Sequence, residues 1–184
     1  MGTSPLLSVV IPILNEKDNI EPLVCEIIVA LTERCEFEII FVNDASTDDS
    51  ILILTELKEK YDFLRFISHN ERSGQSAGLR TGVLAAKGTL IVTLDGDGQN
   101  DPGDIPKLLT QYQNSPITGF LMVTGHRVNR KDTWAKRKAS RMANNIRHKF
   151  LKDDNPDTGC SLKLYERELF LRLPYFDHMH RFLP

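Results

Sequence analysis

Short, largely apolar runs recur along the chain and alternate with segments whose apolar residues are spaced three or four positions apart. The runs have the length and composition of buried β-strands. They cover residues 8–13, 37–42, 63–68, 89–94 and 120–124. Because the runs are apolar rather than alternating with polar residues, they predict strands that are covered on both faces of a sheet.

Three helices are predicted between these strands. The clearest covers residues 20–32, with Asn19 as its N-cap, because apolar residues recur there at i, i+3 and i+4. Those apolar residues are Ile20, Leu23, Val24, Ile27, Ile28 and Leu31. A second helix is predicted over residues 48–60, and its buried face consists of Ile51, Leu54 and Leu57. A third, over residues 75–86, carries small residues that would let it lie close to a sheet, namely Gly78, Gly82 and Ala85.

Strands that alternate with helices at this spacing predict an α/β fold with a mostly parallel sheet. In open sheets of this kind the ligand binds outside the carboxyl ends of the strands. Polar clusters follow the first four predicted strands at those ends: Asn15-Glu16, Asn43-Asp44-Ala45-Ser46, His69-Asn70 and Asp95-Gly96-Asp97. The sequence therefore predicts one crevice that is lined from four strand ends.

Two carboxylates lie two positions apart directly after the fourth predicted strand. Since side chains alternate in direction along an extended chain, Asp95 and Asp97 share one face. Carboxylate oxygens suit Mg²⁺ or Mn²⁺, which take one or two carboxylates together with substrate phosphates and water. The pair therefore predicts a metal-bound phosphate, although Asp and Gly in this order are also typical of a simple tight turn.

The polar clusters after the first two strands also fit a nucleotide. Asn15 and Glu16 have groups that hydrogen-bond a base or a ribose, but residues of this kind also cap helices. Asp44 fits a ribose hydroxyl, and Ser46 or Thr47 is expected to begin the following helix.

Residues 70–78 are predicted as a loop that leads into a helix N-terminus, where free amides and the helix dipole favour anions. The segment contains neither a GxGxxG pattern nor a GKS or GKT phosphate loop. This absence disfavours a dehydrogenase and a P-loop enzyme.

The composition, with 41% hydrophobic and 26% charged residues among 184, is that of an ordinary globular protein. This length predicts a single domain over residues 1–184. No apolar stretch reaches the roughly 18 residues of a membrane span, and the first residues do not resemble a secretory signal, so a cytoplasmic location is predicted. Cys25, Cys35 and Cys160 are odd in number and lack metal-ligand spacing, which predicts reduced thiols.

Basic residues are concentrated in one segment. Residues 127–152 contain ten Lys or Arg and one acid, a net charge of +9, whereas the whole chain has −2 and the remainder therefore −11. A basic segment on an acidic body indicates an anionic partner, with a solvated helix face as the alternative, and the acidic remainder disfavours a nucleic acid. A helix predicted over residues 133–151 also has an apolar face, which suits core packing or contact with a membrane surface. That face consists of Trp134, Met142, Ile146 and Phe150.

Taken together, the segments 9–16 (VVIPILNE), 42–48 (VNDASTD) and 95–99 (DGDGQ) resemble the family 2 glycosyltransferases with the GT-A fold. Three later segments look like the dolichol-phosphate mannosyltransferase and polyprenyl-phosphate glycosyltransferase branch of that family. They are residues 124–127 (TGHR), 137–141 (RKASR) and 157–163 (DTGCSLK). The resemblance spans nearly the whole chain and depends on the order of the motifs and on their placement at strand ends.

The resemblance implies a role for particular residues. Those implied to bind the nucleotide are Pro12, Asn15, Glu16, Asp44, Ser46, Asn70 and Asp95. The metal and diphosphate site would consist of Asp95, Asp97 and Gln99, with Asp97 and Gln99 as direct ligands. The phosphates of the donor and of a lipid acceptor would meet Arg127, Arg137, Ser140 and Arg141. Asp157 and Thr158 would face the sugar and the acceptor, and Asp97, Arg127 and Asp157 would be the catalytic set.

The implied activity is an inverting transfer of a sugar from GDP-mannose or a UDP-sugar to a polyprenyl or dolichyl phosphate or a related glycan, with Mg²⁺ or Mn²⁺. A lipid phosphate is already largely ionised at neutral pH and needs no strong base, whereas a hydroxyl acceptor would need one, for which Asp157 is the candidate. A lipid acceptor would also bring the protein to the inner face of a membrane as a peripheral protein.

Two other functions are compatible with parts of the sequence. Family members normally continue past Pro184, so the chain is expected to lack the family's C-terminal part. A non-catalytic module that binds a nucleotide sugar or an anionic surface is therefore the alternative function. A nucleotidyltransferase is disfavoured, because residues 15–18 (NEKD) are acidic where that class carries a Gly-rich basic loop. The sequence does not indicate an oligomeric state.

Overall fold

The structure is a computed structural model that describes residues 7–125 and 160–174. Within these residues, six strands form one sheet in the order β3-β2-β1-β4-β6-β5. The strands are β1 (Leu7–Ile13), β2 (Phe37–Asn43), β3 (Leu64–Ser68), β4 (Leu90–Thr93), β5 (Met122–Thr124) and β6 (Lys163–Glu166). This is an α/β fold with a mostly parallel sheet, as the sequence predicted.

Five of these strands run in the same direction. β1 pairs in parallel with β2 and β4, and β2 pairs in parallel with β3. β6 runs antiparallel to both of its neighbours, β4 and β5. Because Thr93 at the end of β4 pairs with Lys163 at the start of β6, the residues just before β6 lie at the carboxyl edge of the parallel strands.

Helices cover both faces of the sheet. One face packs against α1 (Lys17–Leu31), α2 (Ser50–Lys60) and α4 (Ile105–Gln113), which follows a 3-10 turn at Pro102–Asp104. The other face packs against α3 (Gln75–Ala85) and α5 (Arg167–Arg172). Consecutive residues of β1 belong to different cores, because side chains alternate along a strand. The sequence pattern did not predict α4, α5 or β6.

The start of α1 differs from the prediction. The helix begins at Lys17, with Glu16 at the cap position, so Asn19 is not the N-cap. Asn19 lies in the first turn, where its Nδ2 donates to Glu16 Oε2 over 2.7 Å. The amide side chain therefore holds the Glu16 carboxylate rather than the helix backbone.

The start of α2 also differs. Ser46 and Thr47 do not begin the helix, which starts at Ser50. Both the backbone N–H and the hydroxyl of Ser50 donate to Asp48 Oδ1, over 3.0 and 2.5 Å. Ile51 is 42% exposed and not buried as predicted, because the fully buried Ser50 faces the protein instead.

α3 lies unusually close to the sheet, as its small residues predicted. A Cβ added at Gly82 would come 2.3 Å from Val10 Cγ1 and 3.2 Å from Val42 Cγ2. One turn earlier, a Cβ at Gly78 would come 3.0 Å from Pro12 Cβ. Larger residues at these positions would push the helix away from β1 and β2.

A buried polar cluster lies at the opposite edge of the sheet. Glu38 Oε1 accepts hydrogen bonds from Ser8 Oγ and from the backbone N–H of Lys87, each over 2.6 Å. Glu38 Oε2 accepts from Arg65 Nε over 3.0 Å, and Arg65 also donates to the Ala85 carbonyl. Burial raises the pKa of Glu38, but these donors outweigh it and leave the pKa below its ordinary value. The cluster ties the end of α3 to β1, β2 and β3.

The cysteines are free thiols, as predicted. Cys25 is exposed, Cys35 is half-buried and Cys160 is buried. No helix in the described part of the chain is long and apolar enough to cross a membrane.

Candidate functional site

The loops after β1 and β2 are joined by hydrogen bonds. The backbone N–H of Asn15 donates to Ser46 Oγ over 2.9 Å, and the backbone N–H of Thr47 donates to Asn15 Oδ1 over 2.8 Å. Asn15 has a φ of 57°, a left-handed conformation that Asn tolerates better than most residues. Asn15 and Ser46, which were both predicted to bind the nucleotide, therefore lie side by side and are joined by a hydrogen bond.

The loop after β2 is joined to the loop before α3 through Asp44. This carboxylate is buried, at 5% exposure. Its Oδ1 accepts from the backbone N–H of Ser73 and lies 2.9 Å from His69 Nδ1, and its Oδ2 accepts from the backbone N–H of Gly74. The hydrogen bonds from these two backbone N–H groups are each 2.8 Å long. Burial raises the pKa of Asp44, but His69 and the two amides outweigh it and leave the pKa below its ordinary value.

The loop before α3 is in turn joined to the loop after β4, residues 94–99, which we call the acidic loop because it contains Asp95 and Asp97. Gln75, the first residue of α3, donates from Nε2 to Asp95 Oδ1 over 2.6 Å. Asp95 is half-buried. A neutral amide thus orients this carboxylate without cancelling its charge.

Two glycines pack the acidic loop against the loop after β1 and close a circuit of four loops. A Cβ at Gly96 would come 2.5 Å from Ile13 Cγ2 and 3.6 Å from Glu16 Cγ. Gly98, with a φ of 70°, would place a Cβ 3.8 Å from Asn19 Oδ1. The convergence of four strand ends that the sequence predicted is therefore present, with each loop touching the next.

Asp97 and Gln99 lie on the solvent side of this circuit, and both are exposed. Asp97 Oδ1 accepts from the backbone N–H of Gln99 over 3.0 Å, so the tight turn considered for this sequence is formed. In residues 7–125 and 160–174, no three His, Cys, Asp or Glu side chains are grouped so that they could hold a metal ion by themselves. Any cation here would take its remaining ligands from a bound phosphate and from water.

A further group of side chains at this edge was missed by the sequence analysis. The segment before β6 is attached to the end of β4, since Asn100 Nδ2 donates to Ser161 Oγ over 2.6 Å and Thr93 Oγ1 donates to the Ser161 carbonyl over 2.8 Å. Asn100 is buried and immediately follows Gln99. A polar Asn directly after the acidic loop was the only feature of the sequence that pointed to this group. Its partner, Ser161, is 61 positions away along the chain and could not be found from the sequence pattern.

The remaining predicted site residues vary in exposure. Pro12 and Glu16 are half-buried beside the glycines of α3 and the acidic loop, and Asn70 is exposed. The predicted basic helix over residues 133–151 lies outside the described residues. So do the predicted phosphate, sugar and acceptor residues Arg127, Arg137, Ser140, Arg141, Asp157 and Thr158.

The chain belongs to glycosyl transferase family 2, because the model of that family matches residues 8–173. It is 34% identical over 181 residues to a dodecaprenyl-phosphate galacturonate synthase of Rhizobium johnstonii, covering 97% of this chain and 53% of that protein. It is 32% identical over 184 residues to an undecaprenyl-phosphate 4-deoxy-4-formamido-L-arabinose transferase of Enterobacter sp. (strain 638), covering 97% of this chain and 54% of that protein. The chain thus spans about half the length of the curated relatives it matches.

Solved structures with the same fold include two glycosyl-transferring enzymes. A mannosyltransferase from Pyrobaculum calidifontis, in complex with GDP-Man and Mn²⁺, superposes with a TM-score of 0.66 at 23% identity, over 95% of this chain and 48% of that one. Glucosyl-3-phosphoglycerate synthase from Mycobacterium tuberculosis, in complex with UDP, superposes with a TM-score of 0.67 at 23% identity, over 92% of this chain and 60% of that one. At this level of identity the likeness establishes the fold.

Proposed function

We propose that this chain carries the donor-binding and catalytic part of an inverting glycosyltransferase that moves a sugar from a nucleotide sugar to a polyprenyl phosphate or a related lipid phosphate. The observation that carries the proposal is the closed circuit of four strand-end loops, which brings the acidic loop after β4 beside the polar loops after β1 and β2. The relatives named for dodecaprenyl-phosphate and undecaprenyl-phosphate products support the acceptor class.

The nucleoside side of the donor is assigned to the loops after β1, β2 and β3. The residues are Pro12, Asn15, Glu16, Asp44, Ser46 and Asn70. An ionised carboxylate can accept about four hydrogen bonds. Asp44 uses three of these acceptor positions inside the protein, so one acceptor position is left for a ligand hydroxyl. The hydrogen bonds between Asn15, Ser46 and Thr47 fix this surface before a ligand arrives, which lowers the entropy cost of binding.

The diphosphate side is assigned to Asp95, Asp97 and Gln99. Their hard oxygen donors fit Mg²⁺ or Mn²⁺, and Mg²⁺ takes one or two carboxylates when substrate phosphates complete its shell. When bound, the cation supplies positive charge against the negative charge that develops on the leaving diphosphate. Asp97 and Gln99 are exposed and so remain accessible to a ligand, while Gln75 holds Asp95 in place.

The acceptor side is assigned to residues near the basic segment. Arg127, Arg137, Ser140 and Arg141 would hold the phosphates, and the net charge of +9 over residues 127–152 suits an anionic lipid at a membrane surface. Asp157 and Thr158 precede Ser161 in the chain, and Ser161 is attached to the end of β4 beside the acidic loop. In the reaction the acceptor oxygen attacks the anomeric carbon in line, and the bond from that carbon to the nucleoside diphosphate breaks.

A thermal-shift panel on the 184-residue chain tests the proposal. GDP, UDP and their sugars are compared with free guanosine and uridine, each with and without Mn²⁺. A ligand at about 100 times its Kd stabilises the folded state by about 2.7 kcal/mol. This corresponds to a Tm increase of at least about 5 °C for a protein of this size. One nucleoside diphosphate should reach this shift with Mn²⁺ only, and the free nucleosides should not.

Transfer is then measured with the matching nucleotide sugar and a polyprenyl phosphate, in the chain and in a version extended to the length of its relatives. Release of nucleoside diphosphate that depends on the lipid phosphate supports a transferase. Binding without release in both versions supports the nucleotide-sugar binding module instead. If no nucleotide raises the Tm, the donor assignment is wrong.

A further inference from the structure

We infer that Asp44 and His69 are positioning residues that fix the start of α3, so that Gln75 holds Asp95 in the orientation the diphosphate site needs. The inference rests on the proposed function, because Asp95 is assigned to that site there. It gives His69, Thr81 and Gln75 roles at the donor site although they were not among the predicted nucleotide ligands.

The first step is the attachment of the approach loop, residues 70–74, to β2. Asp44 lies one residue beyond the end of β2 and receives the backbone N–H groups of Ser73 and Gly74, one on each carboxylate oxygen. Two amides on one buried carboxylate fix both the position and the rotation of this short segment. Bonds of this charge-assisted kind are about twice as strong as neutral hydrogen bonds.

The second step is the orientation of Asp44 by His69. The imidazole bridges two elements, with Nδ1 2.9 Å from Asp44 Oδ1 and Nε2 2.9 Å from Thr81 Oγ1 on α3. An ionised carboxylate only accepts, so Nδ1 carries the proton of the first bond. The ring is therefore held at both ends, and α3 is attached to β2 at a second point, almost two turns beyond its start.

The third step leads from the approach loop to the acidic loop. Gly74 has a φ of 88°, a conformation that favours glycine, and it is followed directly by Gln75 at the start of α3. A displacement of Gly74 therefore moves Gln75, whose Nε2 donates to Asp95 Oδ1 over 2.6 Å. Partners outside the ligand shell of a metal site orient the ligands in this way, and their loss typically costs about 10- to 100-fold in metal affinity.

A purely structural role for Asp44 and His69 makes a different prediction. In that case their loss would lower stability and loosen residues 69–74, but the acidic loop would keep its environment. The inference instead requires that a change at His69 reach residues 95–99 through Gln75.

The experiment uses ¹H–¹⁵N NMR spectra of the 184-residue chain and Mn²⁺ binding measured by EPR in the presence of GDP or UDP. The variants are His69→Ala, Gln75→Ala and the double variant. Thr81→Val is a milder variant, which removes only the hydroxyl contact with His69. Thr55→Ala is the matched control, because the Thr55 hydroxyl is exposed on α2 and donates only to the Ile51 carbonyl.

We expect His69→Ala, Thr81→Val and Gln75→Ala each to shift the amide signals of Gly96 and Gln99, and Thr55→Ala to leave them unchanged. Mn²⁺ affinity should fall about tenfold in Gln75→Ala and about tenfold in His69→Ala. In the double variant the affinity should fall by less than the product of these two factors, because both substitutions act through the same contact. The inference is overturned if His69→Ala and Thr81→Val shift only signals of residues near position 69 and of the approach loop, or if the two losses multiply. If the wild type binds no Mn²⁺, the proposed diphosphate site is wrong, and the NMR spectra still decide whether the two loops are coupled.

Discussion

Gly82 of α3 lies directly against Val10 of β1, so that a methyl group added to the glycine would come 2.3 Å from Val10 Cγ1. This contact sets the distance between the helix and the centre of the sheet. Gln75 is the first residue of the same helix, and the approach loop leads directly into it. The glycine therefore helps to set where Gln75 lies, about two turns away at the start of the same helix.

Gly82→Ala should destabilise the protein. Overpacking in a core costs about 1–3 kcal/mol, against a gain of about 1 kcal/mol from the higher helix propensity of Ala. Because an approach of 2.3 Å is far inside van der Waals contact, we expect the overpacking to prevail and thermal denaturation to show a Tm several degrees lower.

The control for this substitution is a double-mutant cycle with Val10→Ala, which removes the atom that the new methyl group meets. In the Val10→Ala background, Gly82→Ala should cost less or become stabilising. An equal cost in both backgrounds would mean that the close contact with Val10 does not determine the effect. Leu84→Ala, at a 52% exposed position of the same helix, should change the Tm little.

Glu38→Gln should destabilise the protein at neutral pH and have less effect in acid. Hydrogen bonds to a charged group contribute about 1.5–3 kcal/mol each. The variant loses the negative charge of the group that accepts hydrogen bonds from Arg65, from Ser8 and from the backbone amide of Lys87. The pKa of Glu38 lies below its ordinary value of 4.5 in the folded state, so the unfolded chain takes up the proton first as the pH falls. The stabilisation by Glu38 is therefore fully present well above pH 4.5 and is lost as the pH falls through the folded-state pKa. Tm measured from pH 7 to pH 3 should show the two proteins converging, whereas the exposed Glu59→Gln variant should follow the wild type throughout.

Asp97→Asn should remove the Mn²⁺-dependent part of the thermal shift by a nucleoside diphosphate. Loss of even an outer partner of a metal site costs about 10- to 100-fold in affinity, and Asp97 is assigned as a direct ligand. Its Tm without ligand should stay unchanged, since Asn still accepts the bond from the Gln99 amide at this exposed turn.

Asp101→Asn is the matched control for Asp97. Asp101 is also exposed and also accepts from a backbone amide two residues later, that of Gly103, over 2.8 Å. This variant should keep the full Mn²⁺-dependent shift. Equal shifts for both variants and the wild type would show that Asp97 is not a ligand.

Asn100→Ala should destabilise the attachment of the segment before β6. The substitution removes the hydrogen bond of 2.6 Å that Asn100 Nδ2 donates to the half-buried Ser161 hydroxyl, and an internal hydrogen bond of this kind contributes about 0.5–1.5 kcal/mol. Denaturant unfolding should show this loss, and Ser161→Ala added to Asn100→Ala should cost little more, because both remove the same bond. Additive losses would show that the two residues act separately. Asn114→Ala, at an exposed position after α4, is the control.

The parallel part of the fold could be predicted because its strands are apolar runs and its helices have regular spacing. β6 could not, since its four residues include Lys163 and Glu166. Lys163 is buried to 3% exposure only because β4 and β5 enclose the strand, which is a tertiary effect. For α4 the signal was present in Ile105, Leu108 and Leu109, but the helix is only nine residues long.

The candidate site could be predicted as a set of polar strand ends but not as a network. Asp44 stood out as an acid at a strand end, whereas its bonds to Ser73 and Gly74 span 29 and 30 positions and depend on the helix packing that Gly82 permits. Besides its predicted contact with the nucleotide, Ser46 or its neighbour Thr47 was predicted to begin the helix, because Ser and Thr are common at that position. In the folded protein the Ser46 hydroxyl accepts the Asn15 amide, a partner 31 positions earlier.

β6 runs opposite to the four strands whose loops are assigned to the donor. The parallel strands deliver their side chains to this edge as the polypeptide leaves the sheet, whereas β6 delivers Ser161 as the polypeptide returns to it. Residues 126–159 fall between β5 and β6 in the sequence, so changes there need not alter the register of β1 to β4. On the proposed function, the residues assigned to the acceptor can therefore vary in sequence while the loops assigned to the donor are kept.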